Sequence, residues 1–376
     1  MAPLRLAIIG YGMAGRAIHS RLAREAGFSV TVIQARNHNR RTQAATDWPG
    51  AKLVTDVDEL IALRDRFDLA VIASPTSAHA ENAAALARAG IPFVLDKPIG
   101  VDAFEARAII AEAAKTKTPF TVFQNRRWDS EQLKLIDALQ RGALGDVHTF
   151  ERRWERWQPV KNKQWRDEDV VGGGLLLDLA SHLVDSAIQL FGPVKRVSAS
   201  IRHLATAADD DVMIVLEHAE GGGLAKSKYP VESRLFAGSL VAAPGPRTKA
   251  LGDKGAYVVT GFERDYSAFE VRSAPKSVGA NGAAASGSGG SGTGVSGSGM
   301  PDDEAAWIVR GDQTERIALG HSHHADFYRA LPEWLAGEAP APVEPKDALR
   351  TAVVLDAARA AAREGRAMMI TLDGYK

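Results

Sequence analysis

Leu4 to Ile9 is a largely apolar run that passes directly into Gly10-Tyr11-Gly12-Met13-Ala14-Gly15. A helical pattern follows from Arg16 to Glu25, and Phe28 to Ile33 reads as a second strand. A G-x-G-x-x-G alone says little. Placed between a buried strand and a helix, with a second strand close behind, it has the context of a dinucleotide-binding βαβ unit. Gly10 permits the tight turn, Gly12 lets a pyrophosphate approach the backbone, and Gly15 lets helix and strand pack closely. Phosphates would then lie at the helix N-terminus, on Gly12, Met13, Ala14 and their neighbours.

The end of the second strand bears on which dinucleotide is taken. NAD sites place Asp or Glu there for the ribose 2′-hydroxyl. Here the chain reads Gln34-Ala35-Arg36-Asn37, with Arg40 and Arg41 beyond, and Asp47 comes too late. A guanidinium suits a 2′-phosphate, so NADP is expected with Arg36 as its reader, NAD being the second possibility. A solvated basic loop is the alternative reading.

Strand and helix patterns alternate through residue 123. Strands are expected at Leu69–Ala73, Pro92–Leu95 and Phe120–Phe123, and helices at Ala78–Ala89 and Ala103–Lys115. This alternation gives an α/β fold, a doubly wound parallel sheet over residues 1–123. Residues 124–376 form a second, α+β unit. A helix at Ser130–Arg141 precedes a strand at Val147–Arg153. Strands then follow one another at Val194–His203, Val212–His218, Leu224–Pro230, Leu235–Val241, Ala256–Thr260 and Ala306–Val309, which implies a large, mostly antiparallel open sheet. Helices at His323–Ala336 and Lys346–Glu364 close the chain. Within 279–299, Gly and Ser fill 14 of 21 positions, too little apolar mass to offset ordering, so a disordered insertion is expected there.

Residues 172–185 read Gly-Gly-Gly-Leu-Leu-Leu-Asp-Leu-Ala-Ser-His-Leu-Val-Asp. The helix after the glycines is apolar nearly all round, yet Asp178, His182, Asp185 and Gln189 share one stripe. A carboxylate and an imidazole on a buried helix need partners or a cleft. A satisfied Asp–His core pair and a catalytic pair are both open on this pattern alone. An imidazole titrating near neutrality makes His182 the natural general base, with Asp178 orienting it or binding substrate. Lys97 follows the strand Pro92–Leu95, at the edge where doubly wound sheets bind ligands, and its ammonium can stabilise charge on a reacting oxygen.

Charge and cysteine content narrow the function classes. Lys plus Arg and Asp plus Glu are 46 each, so no bulk charge draws the chain to nucleic acid or an anionic membrane. With no cysteine there is no disulfide, thiol nucleophile or Cys-ligated zinc. No apolar run is long enough to span a bilayer, and the first ten residues read as a core strand rather than a signal peptide, so a cytoplasmic location is expected. His321, His323 and His324 have only Asp326 nearby at helical spacing, and no metal site is expected.

Further segments carry a resemblance. Ser74-Pro75-Thr76-Ser77-Ala78-His79, Asp96-Lys97-Pro98, Trp165-Arg166, Gly172-Gly173-Gly174, Asp178 and His182 are similar to the signatures of the glucose–fructose oxidoreductase/inositol dehydrogenase/rhizopine-catabolism family. Asn125-Arg126-Arg127-Trp128-Asp129 and Pro244-Gly245-Pro246-Arg247 most resemble its NADP-dependent scyllo-inositol dehydrogenase group. Asp96 stands where the family has Glu, and Ala180 where Gly is usual. The resemblance implies a nicotinamide-dependent dehydrogenase acting on a secondary alcohol of a cyclic polyol or sugar. It implies cofactor contacts from Ser74, Pro75, Thr76, His79, Asp96, Lys97, Arg127, Trp165 and Arg166. It implies substrate contacts from Lys97, Arg127, Trp128, Asp178 and His182, a cis peptide before Pro98, and a homo-oligomer, dimer or tetramer. A sugar ketoreductase and a non-catalytic nucleotide-sensing regulator are the alternatives.

Overall fold

A computed structural model describes residues 3–159, 165–219, 222–260 and 305–371. The expected 279–299 insertion lies outside these residues. Six strands form the first sheet: β1 (Arg5–Ile9), β2 (Ser29–Gln34), β3 (Lys52–Val54), β4 (Leu69–Ile72), β5 (Phe93–Asp96) and β6 (Phe120–Phe123). Their order is β3-β2-β1-β4-β5-β6 and every pair is parallel. β4 and β6 are buried along their whole length, as strands covered on both faces must be. The order reverses beside β1, so the β1 and β4 C-terminal ends open a crevice there. The first helix is not uniform. Ala14–Ser20 has the wider π pitch and Arg21–Glu25 is α. The helix His38–Asp47, capped by the Asn37 side chain, has no apolar stripe in the sequence, because only Ala44 of it is buried.

The second sheet has nine strands: β7 (Val147–Glu155), β8 (Val194–Arg202), β9 (Asp211–His218), β10 (Glu232–Gly238), β11 (Thr248–Gly252), β12 (Ala256–Val259), β13 (Ala305–Arg310), β14 (Gln313–Ala318) and β15 (Met368–Met369). Their order is β14-β13-β12-β11-β7-β10-β9-β8-β15. All pairs are antiparallel except β7 and β10, which run parallel from Thr149↔Glu232 to Glu155↔Gly238. The expected strand at Leu224–Pro230 is absent. The segment is bent, irregular backbone; the Ser227 hydroxyl donates to the Val147 carbonyl at 2.7 Å, and the Ala225 N–H donates to Leu190 O. The helix expected at His323–Ala336 divides into Ala325–Arg329 and Leu331–Leu335, with Pro332 at the start of the second.

The helix Ser181–Phe191 covers one face of the second sheet and supplies Leu183, Val184, Ala187, Leu190 and Phe191 to its core. The division at residue 123 separates the sheets but not the cores. Phe327, Tyr328, Leu331 and Val343 pack on one face of the first sheet with Leu6 and Ile8. Ala348, Leu349 and Ala352, from the long helix Pro345–Glu364, pack on the other with Ala7 and Ile9. The same helix places Val354, Leu355 and Ala358 in the core of the second sheet. No helix among the described residues is long and apolar enough to cross a membrane.

Candidate active site

A cavity of about 720 Å3 lies between the C-terminal ends of β1, β4, β5 and β6 and the glycine-led helix of the second sheet. Gly10, Gly12, Met13 and Ala14 form its floor. Gly10 has φ +89°, and a Cβ there would meet the Ala73 carbonyl oxygen at 2.7 Å. A Cβ on Gly15 would overlap the Gly10 carbonyl oxygen, so Gly15 is the close-packing position. At Gly12 the nearest atom to an added Cβ is the Arg40 guanidinium, 3.6 Å away. Gly12 is therefore open to the cavity beside the exposed Arg40 guanidinium, a cradle that fits a phosphate.

Arg36 does not reach this place. It is exposed and does not line the cavity, and its carbonyl accepts from the Arg41 guanidinium at 2.6 Å. Arg40, on the first turn of the helix His38–Asp47, does line it. The strand end does not set which arginine faces the nucleotide floor; the phase of a helix that begins at His38 does.

Ser74, Pro75, Thr76, His79, Asp96 and Lys97 all line the cavity. His79 joins two of its loops, with Nδ1 2.9 Å from Pro98 O and Nε2 3.1 Å from Ser74 O. Burial pushes the His79 imidazole below its ordinary value. The peptide bond between Lys97 and Pro98 is cis. Burial works to raise the Asp96 carboxyl, but His19, Lys97 and His79 outweigh it and hold it below the usual carboxylate range.

Lys97 Nζ donates to the Asp178 carbonyl at 2.6 Å and to Asp178 Oδ1 at 3.0 Å. Arg166 Nε is 3.6 Å from the same oxygen. Burial opposes ionisation of Asp178, yet Lys97 and Arg166 hold it well below the usual range, so it is an anion. His182 is buried, and burial, Lys97 and Arg126 together keep its imidazole well below the ordinary value. It is therefore neutral at physiological pH. The sequence expectation that Asp178 orients His182 by pairing with it is not met: the carboxylate faces Lys97 and makes no hydrogen bond to the imidazole. Asp178 lies in a π-pitched turn, Leu176–Ala180, whereas His182 lies in the α-helix Ser181–Phe191, and the wider pitch rotates residues four apart off a common line.

Arg127 and Trp128 do not line the cavity. The Arg127 guanidinium donates to both oxygens of Asp185, at 2.9 and 2.7 Å, and to Asp347 at 3.3 Å. Trp128 packs edge-on against Phe327. Their neighbours Asn125 and Arg126 take the cavity positions instead. Asn125–Trp128 is a tight 3₁₀ turn in which adjacent side chains point a third of a revolution apart. Asp129 backs Arg126: it accepts from Arg126 at 3.1 Å and faces His324 Nε2 at 2.5 Å. Burial works against that carboxylate, but Arg126, His324 and Arg247 keep it far below the usual range. Arg247 in turn reaches Glu131 at 3.2 Å. The two segments Asn125–Asp129 and Pro244–Arg247 thus meet in one buried ionic cluster behind Arg126. His324 belongs to that cluster, and the described residues hold no group of three metal-ligating side chains.

Arg166 lines the cavity; the Trp165 side chain lies outside the described residues. Arg156, Gln158, Thr206, Asp209 and Asp210 complete the far end. Asp209 Oδ2 accepts from the Leu176 N–H at 2.6 Å and so fixes the entry to the polar helix. Nothing in the sequence pattern marks these residues, since they come from strand ends and loops that meet only in three dimensions.

Comparison with known proteins agrees with this architecture. Residues 4–124 match the model described as oxidoreductase family, NAD-binding Rossmann fold, and residues 136–370 match the oxidoreductase family C-terminal alpha/beta domain. The chain is 25% identical to scyllo-inositol 2-dehydrogenase (NADP(+)) IolW of Bacillus subtilis, over 98% of this chain and 96% of that protein. It is 33% identical to the uncharacterized oxidoreductase YdgJ of Escherichia coli, over 69% of this chain and 72% of that one. Among solved structures, an oxidoreductase from Klebsiella pneumoniae superposes with a TM-score of 0.79 at 28% identity, covering 99% of this chain and 97% of the other.

Proposed function

Because the chain belongs to the Gfo/Idh/MocA oxidoreductase family, we propose that it moves a hydride between NADP and a secondary alcohol or ketone of a cyclic polyol or sugar. The observation that carries this reading is the convergence of Lys97, Asp178 and His182 on one cavity whose floor is the open Gly12 cradle. A bound nicotinamide supplies the hydride acceptor or donor. Gly10, Gly12, Met13 and Ala14 would hold its phosphates, and Ser74, Thr76 and Asp96 would flank the path toward the ring.

The remaining work falls to the chain. Lys97, an ammonium tethered by Asp178, is placed to hydrogen-bond the reacting oxygen and stabilise its negative charge. His182, kept neutral, is able to accept the hydroxyl proton in oxidation and return it in reduction. Asp178 keeps the ammonium aimed and compensates its charge. Arg126 and Arg156 add donors, and Asp209 adds a carboxylate, at the end where a polyhydroxylated substrate would lie.

Arg40 above Gly12, with no acid at the end of β2, favours NADP over NAD. The similarity to an NADP(+)-dependent scyllo-inositol dehydrogenase points the same way. Purified protein with each cofactor and a panel of inositols, aldoses and keto sugars, followed at the nicotinamide absorbance, tests the reading. NADP-linked turnover on at least one polyol or sugar is expected. Tight NADP binding with no turnover across the panel would replace the enzyme with a nucleotide-sensing regulator.

A further inference from the structure

His182 presents an unusual problem of support. Its Nδ1 is buried and has no hydrogen-bond partner among the described residues. The carboxylate expected to hold it is engaged by Lys97. A neutral imidazole without a bond on Nδ1 is fixed neither in plane nor in tautomer by polar contacts. The contact that it does make is with Trp154. The two rings are stacked at 28°, with centroids 6.0 Å apart.

The indole itself is firmly mounted. Trp154 is buried and sits on β7, opposite Ala237 of β10. The Arg126 guanidinium lies 4.7 Å from its ring centroid, that of Arg247 5.8 Å and that of Arg156 6.0 Å. Arg126 is held by Asp129, and Arg247 is held by Glu131.

We propose that Trp154 is the positioning residue for His182, its indole face fixing the imidazole plane in place of a hydrogen bond. This rests on the reading of His182 as the proton acceptor. The aromatic face has a second consequence. Once the ring takes the hydroxyl proton it becomes a cation beside Lys97 and Arg126, and the negative face of the indole offsets part of that repulsion. An aliphatic side chain of similar bulk fills the space but offers no such face.

The test compares wild type, Trp154→Phe, Trp154→Leu and His182→Ala, measuring kcat, KM and NADP affinity on whichever substrate the screen identifies. Trp154→Leu should lower kcat by about 10- to 100-fold with KM and NADP affinity nearly unchanged, because a misaimed catalytic group costs rate rather than binding. Trp154→Phe, which keeps an aromatic face, should restore most of that loss. Wild-type kcat in Trp154→Leu, or equal losses in the Phe and Leu variants, would overturn the proposal. If Trp154→Leu does not fold, NMR relaxation of the His182 ring decides: a rigid ring in wild type and Trp154→Phe supports it, and a mobile ring in wild type overturns it. An inactive His182→Ala beside a fully active Trp154→Leu would remove only the positioning role. A fully active His182→Ala would remove the base assignment on which it depends.

Discussion

Three side chains converge at the chemical end of the cavity, and two of them, His182 and Lys97, have separable expected effects. His182→Ala should lower turnover by roughly 10²–10⁴ and leave NADP affinity largely intact, since the ring is remote from the phosphate floor. Lys97→Met, which keeps the stem and removes the charge, should reduce turnover by roughly 10²–10³, the usual cost of losing one oxyanion donor. The pH profile has a definite sign. Burial and two cations hold His182 below the ordinary imidazole range, so oxidation should be flat through neutral pH with its acid limb below that range. A limb centred at the ordinary imidazole value would mean that some other group is titrating. At the nucleotide end, Arg40→Ala should weaken NADP by about 10- to 100-fold, the equivalent of one charge-assisted contact, and leave NAD nearly unchanged. Arg36→Ala should do little, and the reverse ranking in a binding titration would overturn the placement. Residue identity was the least legible level of this sequence. The glycine turn, Lys97, Asp178 and His182 could be found because strand, turn and helix patterns bracket them. Arg126 against Arg127 turns on a single residue of phase in a 3₁₀ turn, and Arg40 against Arg36 on where the helix after β2 begins, and no period in the sequence resolves either.

Among the elements, the buried pairs that join them carry a sharp expectation. Arg127 spans three of them: the turn Asn125–Trp128, the helix Ser181–Phe191 through Asp185, and the helix Pro345–Glu364 through Asp347. Burial works against its charge, but the two carboxylates outweigh it. Arg127→Ala would leave Asp185 buried without its cation, a change that costs about 3–5 kcal/mol in comparable sites. Denaturant unfolding should show that loss, while the folded fraction should retain NADP affinity. An unchanged midpoint with weakened cofactor binding would return Arg127 to the cavity. Most elements were legible because β1, β4, β5 and β6 are apolar runs bounded by turn residues, and the helix Pro345–Glu364 has Pro at its start and Gly365 past its end. Leu224–Pro230 was misread because its apolar residues do not share one buried face: Leu224 and Tyr229 are exposed and only Ala225 packs on the second core. The parallel partnership of β7 and β10 was invisible for a different reason: local alternation records which face a residue takes, not the direction of its neighbour.

At the level of the molecule, stability should depend on pH in a specific window. His218 is buried, with Nδ1 donating to the Gly192 carbonyl at 2.9 Å and Nε2 accepting from the Ser233 hydroxyl at 2.8 Å. Burial lowers its pKa to about 4. The unfolded chain protonates this group below the ordinary histidine value, near 6.5, and the folded chain does not until about 4. Stability is therefore fully present above that range and falls as pH drops through it, by up to about 3 kcal/mol from this group. His79 and His182 act in the same direction. Thermal melts between pH 8 and 4 should show the decline, and His218→Gln should flatten part of it; equal slopes for the two proteins would show that His218 is not a source. The two-sheet architecture was readable because the change from alternating strand–helix to successive strands is a long-range pattern. The sharing of one helix between two cores was not, because both cores draw on the same small apolar residue types, Ala348, Leu349 and Ala352 for one and Val354, Leu355 and Ala358 for the other.

That shared helix sets an order of events during synthesis. A ribosome that has released residues 1–123 has delivered every strand of the first sheet and helices that pack on both of its faces, yet neither face is fully covered until residues 325–352 emerge. Nascent chains must carry a partly covered nucleotide-binding sheet through most of translation, and a stop codon just upstream of Pro345 leaves both sheets, not one, with an open apolar seam for chaperones and proteases to find.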